Sequence, residues 1–264
     1  VSCLAEQAKI LVAEAEENNL DDKVLDERWM RWYACSLCEQ HYHGVVMCAL
    51  GWACWKTYVG RPETDRFRSS AMGQVGNGLT AVNRLEEALS VKEAELSMER
   101  RLGGSERNLL IVQSNLAMTY GALGRLEEAL RVRRDVYSGT MRLHGEEHEE
   151  TLIAAVNYAN SLVRLDRFKE AKSLLRKPIS VARRVLEERT ELTLKMQWSY
   201  GPALYRDDDA TLDDLREAVT TLEEPEQTAR RVFGGAHPLT TRIEGTLRDA
   251  RAALRARETP SGSA

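Results

Sequence analysis

No cysteine occurs after Cys54, and the five present, Cys3, Cys35, Cys38, Cys48 and Cys54, crowd into the start of a 264-residue chain. An odd number without a secretion signal argues against a disulfide framework and for reduced thiols, so a cytoplasmic setting is expected, or a nuclear one. Long apolar runs are missing too. The longest, Gly44 to Trp55, falls far short of the roughly 18 residues that cross a bilayer, so no membrane partner is expected. Neither sign of charge dominates: 37 Lys and Arg stand against 41 Asp and Glu, for a net charge of −4. That balance argues against a nucleic-acid partner. Gly-x-Gly-x-x-Gly, a Gly-Lys-Thr phosphate loop and a Gly-x-Ser-x-Gly elbow are all absent, so no catalytic residue is expected. The chain opens on Val1 rather than Met and is expected to be a piece of a longer protein.

What is present is a repeat. Asn115-Leu-Ala-Met-Thr-Tyr-Gly-Ala-Leu-Gly-Arg-Leu-Glu-Glu-Ala129 returns as Asn157-Tyr-Ala-Asn-Ser-Leu-Val-Arg-Leu-Asp-Arg-Phe-Lys-Glu-Ala171, a period of about 42 residues. One copy earlier, Arg84-Leu-Glu-Glu-Ala88 keeps the register, and one copy later Ser199-Tyr-Gly201 and Glu217-Ala218 do the same. Leu109, Val112, Leu116 and Tyr120 recur at helical spacing, Gly124 suits a left-handed helix end, and the Glu pair after it suits the start of a second helix. Each unit is therefore two antiparallel helices. Small residues mark where they touch, Gly76, Ala117, Ala159 and Gly201 on the first helix and Ala88, Ala129, Ala171 and Ala218 on the second.

A second block joins one pair to the next: Leu102-Gly-Gly-Ser-Glu106, then Gly145 to Leu152 with His148, Glu187 to Leu194, and Gly234 to Thr241 with His237. A Gly-x-x-His-Pro-x-Thr loop of this kind, followed by Asn-x-Ala and a Gly-Arg turn, resembles the tetratricopeptide repeat of kinesin light chains from about Asp65 to Glu258. The coiled coil of a kinesin light chain has no counterpart here. The resemblance implies an all-α fold, a right-handed superhelical solenoid of tetratricopeptide-like helix pairs. Its expected parts are a degenerate first helix at 45–64, repeats at 65–106, 107–149, 150–191 and 192–238, the last with a loop insertion at Arg206 to Asp214, a capping helix at 239–258 and a disordered tail at 259–264.

The segment 1–44 lies outside the period and is expected to hold one helix. Cys35-Ser-Leu-Cys38 is a Cys-x-x-Cys, a spacing at which two thiolates grip one zinc ion, and Trp29 and Trp32 stand just upstream. His43 and Cys48 complete the numerical pattern of a zinc knuckle, although Glu39 and Tyr42 stand where such a knuckle has glycines. Alternatively, Cys3, a helix, a tryptophan and the final Cys-x-x-Cys resemble the C-terminal half of a RING-CH-type zinc finger, which implies that Cys3 serves one zinc site and Cys35 with Cys38 another, both incomplete here. A third reading places Cys35 and Cys38 one turn apart on a buried helix face. Cys48 and Cys54 read as core residues of the degenerate repeat.

Cys3, Cys35, Cys38 and His43 are thus the candidate metal ligands, with zinc the one cofactor in view. The candidate peptide-binding residues come from the resemblance to peptide-clamping repeats, in which the residue two before the small packing position faces the groove. They are Gln74, Asn115, Asn157 and Ser199, with Lys195 beside the last. A ladder of amides and hydroxyls suits the open backbone groups of an extended peptide. The expected function is a non-catalytic scaffold for a protein or peptide partner. The alternative is the substrate-recognition part of a RING-CH-type ubiquitin ligase.

Overall fold

The computed structural model describes residues 1–186 and 190–259. Linker residues 187–189 and the expected disordered tail beyond Thr259 lie outside them. Among the described residues all regular structure is helical, apart from a bridge between Ala34 and His41. The chain divides into two compact units, Val1–Arg125 and Leu126–Ala264.

The first unit contains α1 (Ser2–Glu17), α2 (Asp22–Trp29), a short 3-10 turn (Met30–Trp32), α3 (Gly44–Tyr58), α4 (Arg66–Ala81), α5 (Leu85–Leu102) and α6 (Glu106–Ala122). Where one helix is expected within 1–44, two form. Asn19 takes a left-handed φ of 50°, which ends α1, and the Asp21 carboxylate accepts from Val24 N–H at 2.9 Å, which starts α2. The tryptophans explain why this segment is ordered. Trp29 stacks on Phe67 at 5.0 Å and meets Tyr58 at 5.3 Å, while Trp32 sets its ring edge-on to Tyr58 at 6.0 Å. With Ala8, Val12, Cys54 and Ala71 these rings form one buried cluster that joins α1 and α2 to α3 and α4. Arg61 seals it with a two-pronged pair to Glu16 at 2.7 and 2.8 Å. Helices α3 and α4 meet backbone to backbone: a Cβ at Gly51 would lie 2.5 Å from the Gln74 carbonyl oxygen, and one at Gly78 would lie 2.7 Å from the Cys48 Cα. Glycine at both points is what permits that approach.

The second unit contains α7 (Leu126–His144), α8 (Glu149–Arg164), α9 (Phe168–Val185), α10 (Glu191–Tyr205), α11 (Leu212–Phe233) and α12 (Pro238–Glu258). Its main core draws Leu152, Leu175, Leu194, Met196, Leu204, Leu222, Ile243 and Leu247 from successive helices. Small residues stand at the crossings here too: Ala159, Ala171 and Ala218 are fully buried, and the site of a Cβ on Gly201 is already filled by Leu222.

The recurring linker block has a definite task. Ser105, His148, Thr190 and His237 occupy its corresponding positions, and each is the N-cap of the helix that follows. Ser105 accepts from Asn108 N–H at 3.2 Å, His148 Nδ1 from Glu150 N–H at 3.2 Å, Thr190 from Thr193 N–H at 3.3 Å and His237 Nδ1 from Leu239 N–H at 3.3 Å. Each satisfies a first-turn donor that would otherwise have no acceptor.

Candidate functional site

A cavity of about 590 Å³ opens in the first unit. Its floor and walls come from α4, α5 and α6, and α2 and the turn after it supply the rim. Two of the expected peptide-binding residues, Gln74 on α4 and Asn115 on α6, line it together. Gln74 is buried and Asn115 half-buried. Ser69, Ser70, Asn77 and Asn108 add further polar groups, and Trp29, Phe67, Ile111 and Val112 add apolar ones.

The remaining three candidates belong to the second unit and differ from the ladder expected. Asn157 on α8 is half-buried. Ser199 on α10 is only 2% exposed, and its hydroxyl has no hydrogen-bond partner among the described residues. At that exposure it offers no groove surface; α12 packs on the same helix, where Trp198 Nε1 donates to Thr246 Oγ1 at 2.9 Å. Lys195 is exposed and pairs with Glu191 on its own helix at 2.6 Å.

Sequence reasoning missed the charged residues under the cavity. Lys92, Glu95 and Glu99 of α5 are buried, at 0%, 4% and 7% exposure. Lys92 Nζ donates to Thr80 Oγ1 at 3.3 Å, to the Asn115 carbonyl at 3.2 Å and to Thr119 Oγ1 at 3.0 Å, which uses all three of its hydrogens. Arg133 does the same one repeat on, donating to the Asn157 carbonyl at 3.1 Å and Ser161 Oγ at 2.7 Å. The ladder positions are therefore held through their main-chain oxygens from below. Burial pushes the Lys92 ammonium down to about 8, against the pull of Glu95. Burial also pushes the Glu95 carboxyl up to about 8, with Lys92 opposing and Glu99 adding to the rise. The signal was in the sequence. Ala88, Lys92, Glu95 and Glu99 follow at helical spacing, which sets three charges on the face that Ala88 buries.

The metal candidates are brought together only in part. Cys35 and Cys38 sit in a tight turn rather than on a helix, so the reading that placed them a helical turn apart does not hold. Glu39 takes the left-handed φ of 57° that a glycine usually supplies, and its N–H donates to the Cys35 carbonyl at 3.0 Å. Leu37 N–H points at Cys35 Sγ from 3.5 Å. The main-chain N–H of Cys38 and then that of Leu37 hold the Cys35 thiol below its ordinary range, which favours the thiolate a metal needs.

The knuckle closure through His43 and Cys48 is not formed. His43 is exposed as the N-cap of α3, and Cys48 packs against Val75, Leu79 and Ala88 because α3 must press its backbone onto Gly78. Cys3 is exposed on α1, one turn before Gln7, whose amide reaches Ser36 in the cysteine turn at 3.5 Å. Burial raises the thiol pKa of Cys54, which lies in the aromatic cluster. Among the described residues, the one set of three metal-type donors within reach of one another is His144, His148 and Glu150. There the His144 and His148 rings stack at 4.3 Å, as Phe233 and His237 do at 4.7 Å in the corresponding place. A phenylalanine serves equally, so the stack explains the pair without a metal.

Residues 110–184 match the tetratricopeptide repeat family. The fold is of the tetratricopeptide type. A kinesin light chain protein of Podosopora anserina with nearly identical TPR-like repeats is 18% identical over 86% of this chain and 95% of its own, with a TM-score of 0.57. BtubC from P. vanneervenii is 14% identical over 100% of this chain and 96% of its own, with a TM-score of 0.50. A Rap protein complexed with competence and sporulation factor is 13% identical over 96% and 66%, with a TM-score of 0.57. At such identities the likeness concerns the fold alone. No curated protein matches the chain.

Proposed function

We propose that this chain is a protein-interaction scaffold whose tetratricopeptide-type helices hold an extended segment of a partner without chemical change. The observation that carries the reading is the cavity of about 590 Å³, which Gln74 and Asn115 line together with further amides and hydroxyls. Such groups pair with the N–H and C=O groups that an extended peptide leaves open. The main-chain grip of Lys92 on Asn115 supports the same reading, since it fixes α5 against the α6 wall of the cavity before a ligand arrives. The Rap protein that this fold resembles is itself complexed with a factor, and the same use of the fold is carried over to this chain. Within the second unit, Asn157 is proposed as a contact in its own right, whereas Lys195 and Ser199 are not. The test is capture of immobilised random-sequence peptides. The joint Gln74→Ala and Asn115→Ala variant is expected to lose capture while melting like the parent, and undiminished capture would remove the groove.

A second reading is favoured by the cysteine turn. The N–H groups aimed at Cys35 and the left-handed Glu39 suit half of a zinc site in a RING-CH-type finger, whose other ligands would lie outside this chain, with Cys3 serving a separate ion. The repeats would then recognise the substrate of a ubiquitin ligase. In that case a longer natural chain containing residues 1–264 binds zinc, and Cys35→Ser with Cys38→Ser lowers its metal content. Unchanged zinc in that variant would exclude the reading.

A further inference from the structure

The cavity of the first unit contains an oxygen that no described residue satisfies. Glu95 is 4% exposed, lines the cavity, and its Oε2 has no hydrogen-bond partner among the described residues. A buried carboxyl oxygen left without a partner costs stability unless a ligand supplies one. The obvious internal donor is not available. Lys92, three residues back on α5, spends its hydrogens on Thr80, Asn115 and Thr119. Arg66 on the rim is held by Asp22 at 2.9 Å and Asp26 at 2.7 Å. Arg107, on the α6 wall, has a partner of its own. One turn further along α5, Glu99 adds a second carboxylate to the cavity, and the Ser69 hydroxyl donates to it.

The place has also been cleared for that carboxyl. A Cβ on Gly73 of α4 would lie 2.8 Å from Glu95 Oε1, so only glycine lets the carboxyl lie against the helix as it does. A second acceptor, Asn77 Oδ1, is buried and unpartnered in the same lining. Two buried oxygens of the lining thus stand without a partner among the described residues, and Trp29, Phe67 and Ile111 offer apolar surface for an aliphatic stem.

We propose that this groove takes a cationic side chain, a lysine or arginine of the bound segment, whose N–H groups satisfy Glu95 Oε2 and sit beside Glu99. The proposal rests on the reading of the cavity as a peptide site and specifies its ligand. Burial keeps the Glu95 carboxyl protonated at neutral pH, so seating the cation releases that proton to solvent, and carboxylate then faces ammonium or guanidinium. The charged or titratable groups that share the lining are Glu99 of α5, Arg66 of α4, Arg107 of α6, and Asp26, Tyr33 and His41 of the N-terminal segment, with Lys92 beneath. Binding is therefore expected to tighten from about pH 6 to about pH 8 as proton release becomes easier.

The experiment presents the whole chain with an array of short random-sequence peptides, in which each captured lysine or arginine is then replaced by norleucine or citrulline. Captured peptides are expected to share a basic residue at one position, to lose affinity about 30-fold or more on its neutral replacement, and to lose a similar amount to Glu95→Gln. Calorimetry in two buffers of different ionisation heat reads the released proton, which Glu95→Gln should abolish. Should Glu95→Gln fail to fold, Glu99→Gln tests the same charge preference. If the chain captures neutral or acidic peptides with equal affinity, and Glu95→Gln leaves that affinity unchanged, the cation site is overturned and the groove stands. If the parent chain captures no peptide, both are overturned.

Discussion

At the scale of single residues, Lys92 and Glu95 make the stability of the fold depend on pH in a way that can be checked for sign. Folded, the Glu95 carboxyl keeps its proton up to about 8, whereas an unfolded chain releases it near the ordinary 4.5. Between these values the unfolded state binds fewer protons, so stability falls as pH rises, by at most about 1.4 kcal/mol per pH unit. Lys92 acts in the opposite direction. Folded, it loses its proton from about 8, while the unfolded chain keeps it to about 10.5, so stability rises with pH above 8. Urea melts across this range should show a minimum near pH 8. Glu95→Gln should remove the fall on the acid side and leave the rise on the alkaline side. A flat acid limb in the parent chain would mean that Glu95 is ionised in the fold. These two residues were hard to see in advance because a solvated charge and a buried one look alike in a sequence. Only the register from Ala88 separates them, and helical spacing alone does not tell whether a charged residue displaces water or meets it.

At the scale of elements, the caps decide where helices start, and they account for most of what was legible in advance. The linker blocks were readable because the same geometry has to be built four times. Histidine at two of these positions reads as a loop residue until its ring is seen to cap a helix, with His148 stacked on His144 and His237 on Phe233. Removing the cap at His237 leaves the first-turn N–H of Leu239 without its acceptor. His237→Ala should therefore destabilise by about 1 kcal/mol, while His237→Asn, which can also accept, should recover most of that loss. Thermal melts of both variants check the claim. Equal losses would assign the effect to the lost stack on Phe233. The elements outside the repeat were less legible for a related reason. Residues 1–44 carry no second copy against which to align, so the break at Asn19 and the turn at Glu39, two left-handed residues that are not glycine, left no conformational mark in the sequence.

At the scale of the whole molecule, a stack of helix pairs leaves an open apolar face at each end, and each end must be covered. In the first unit the cover is the tryptophan-rich segment, so the part of the chain that falls outside the repeat also builds the rim of the groove through Asp26, Trp29, Tyr33 and His41. In the second unit the cover is α12. Ile243, Leu247 and Ala250 follow at helical spacing and are buried in the same core as Leu204 and Leu222. Deleting residues 238–264 would expose that core, and large apolar side chains returned to water cost roughly 2 kcal/mol each. It also removes Thr246, the acceptor for Trp198 Nε1. The truncated chain is expected to bind a hydrophobic dye, to lose its cooperative melt in the second unit and to associate at concentrations where the parent is dispersed. Ile243→Ala, which keeps the helix and removes one buried side chain, should cost about 2 to 5 kcal/mol by the same logic. If the deletion melts as the parent does, α12 rests on the second unit without holding it, and the burial of Ile243 and Leu247 contributes little to its stability.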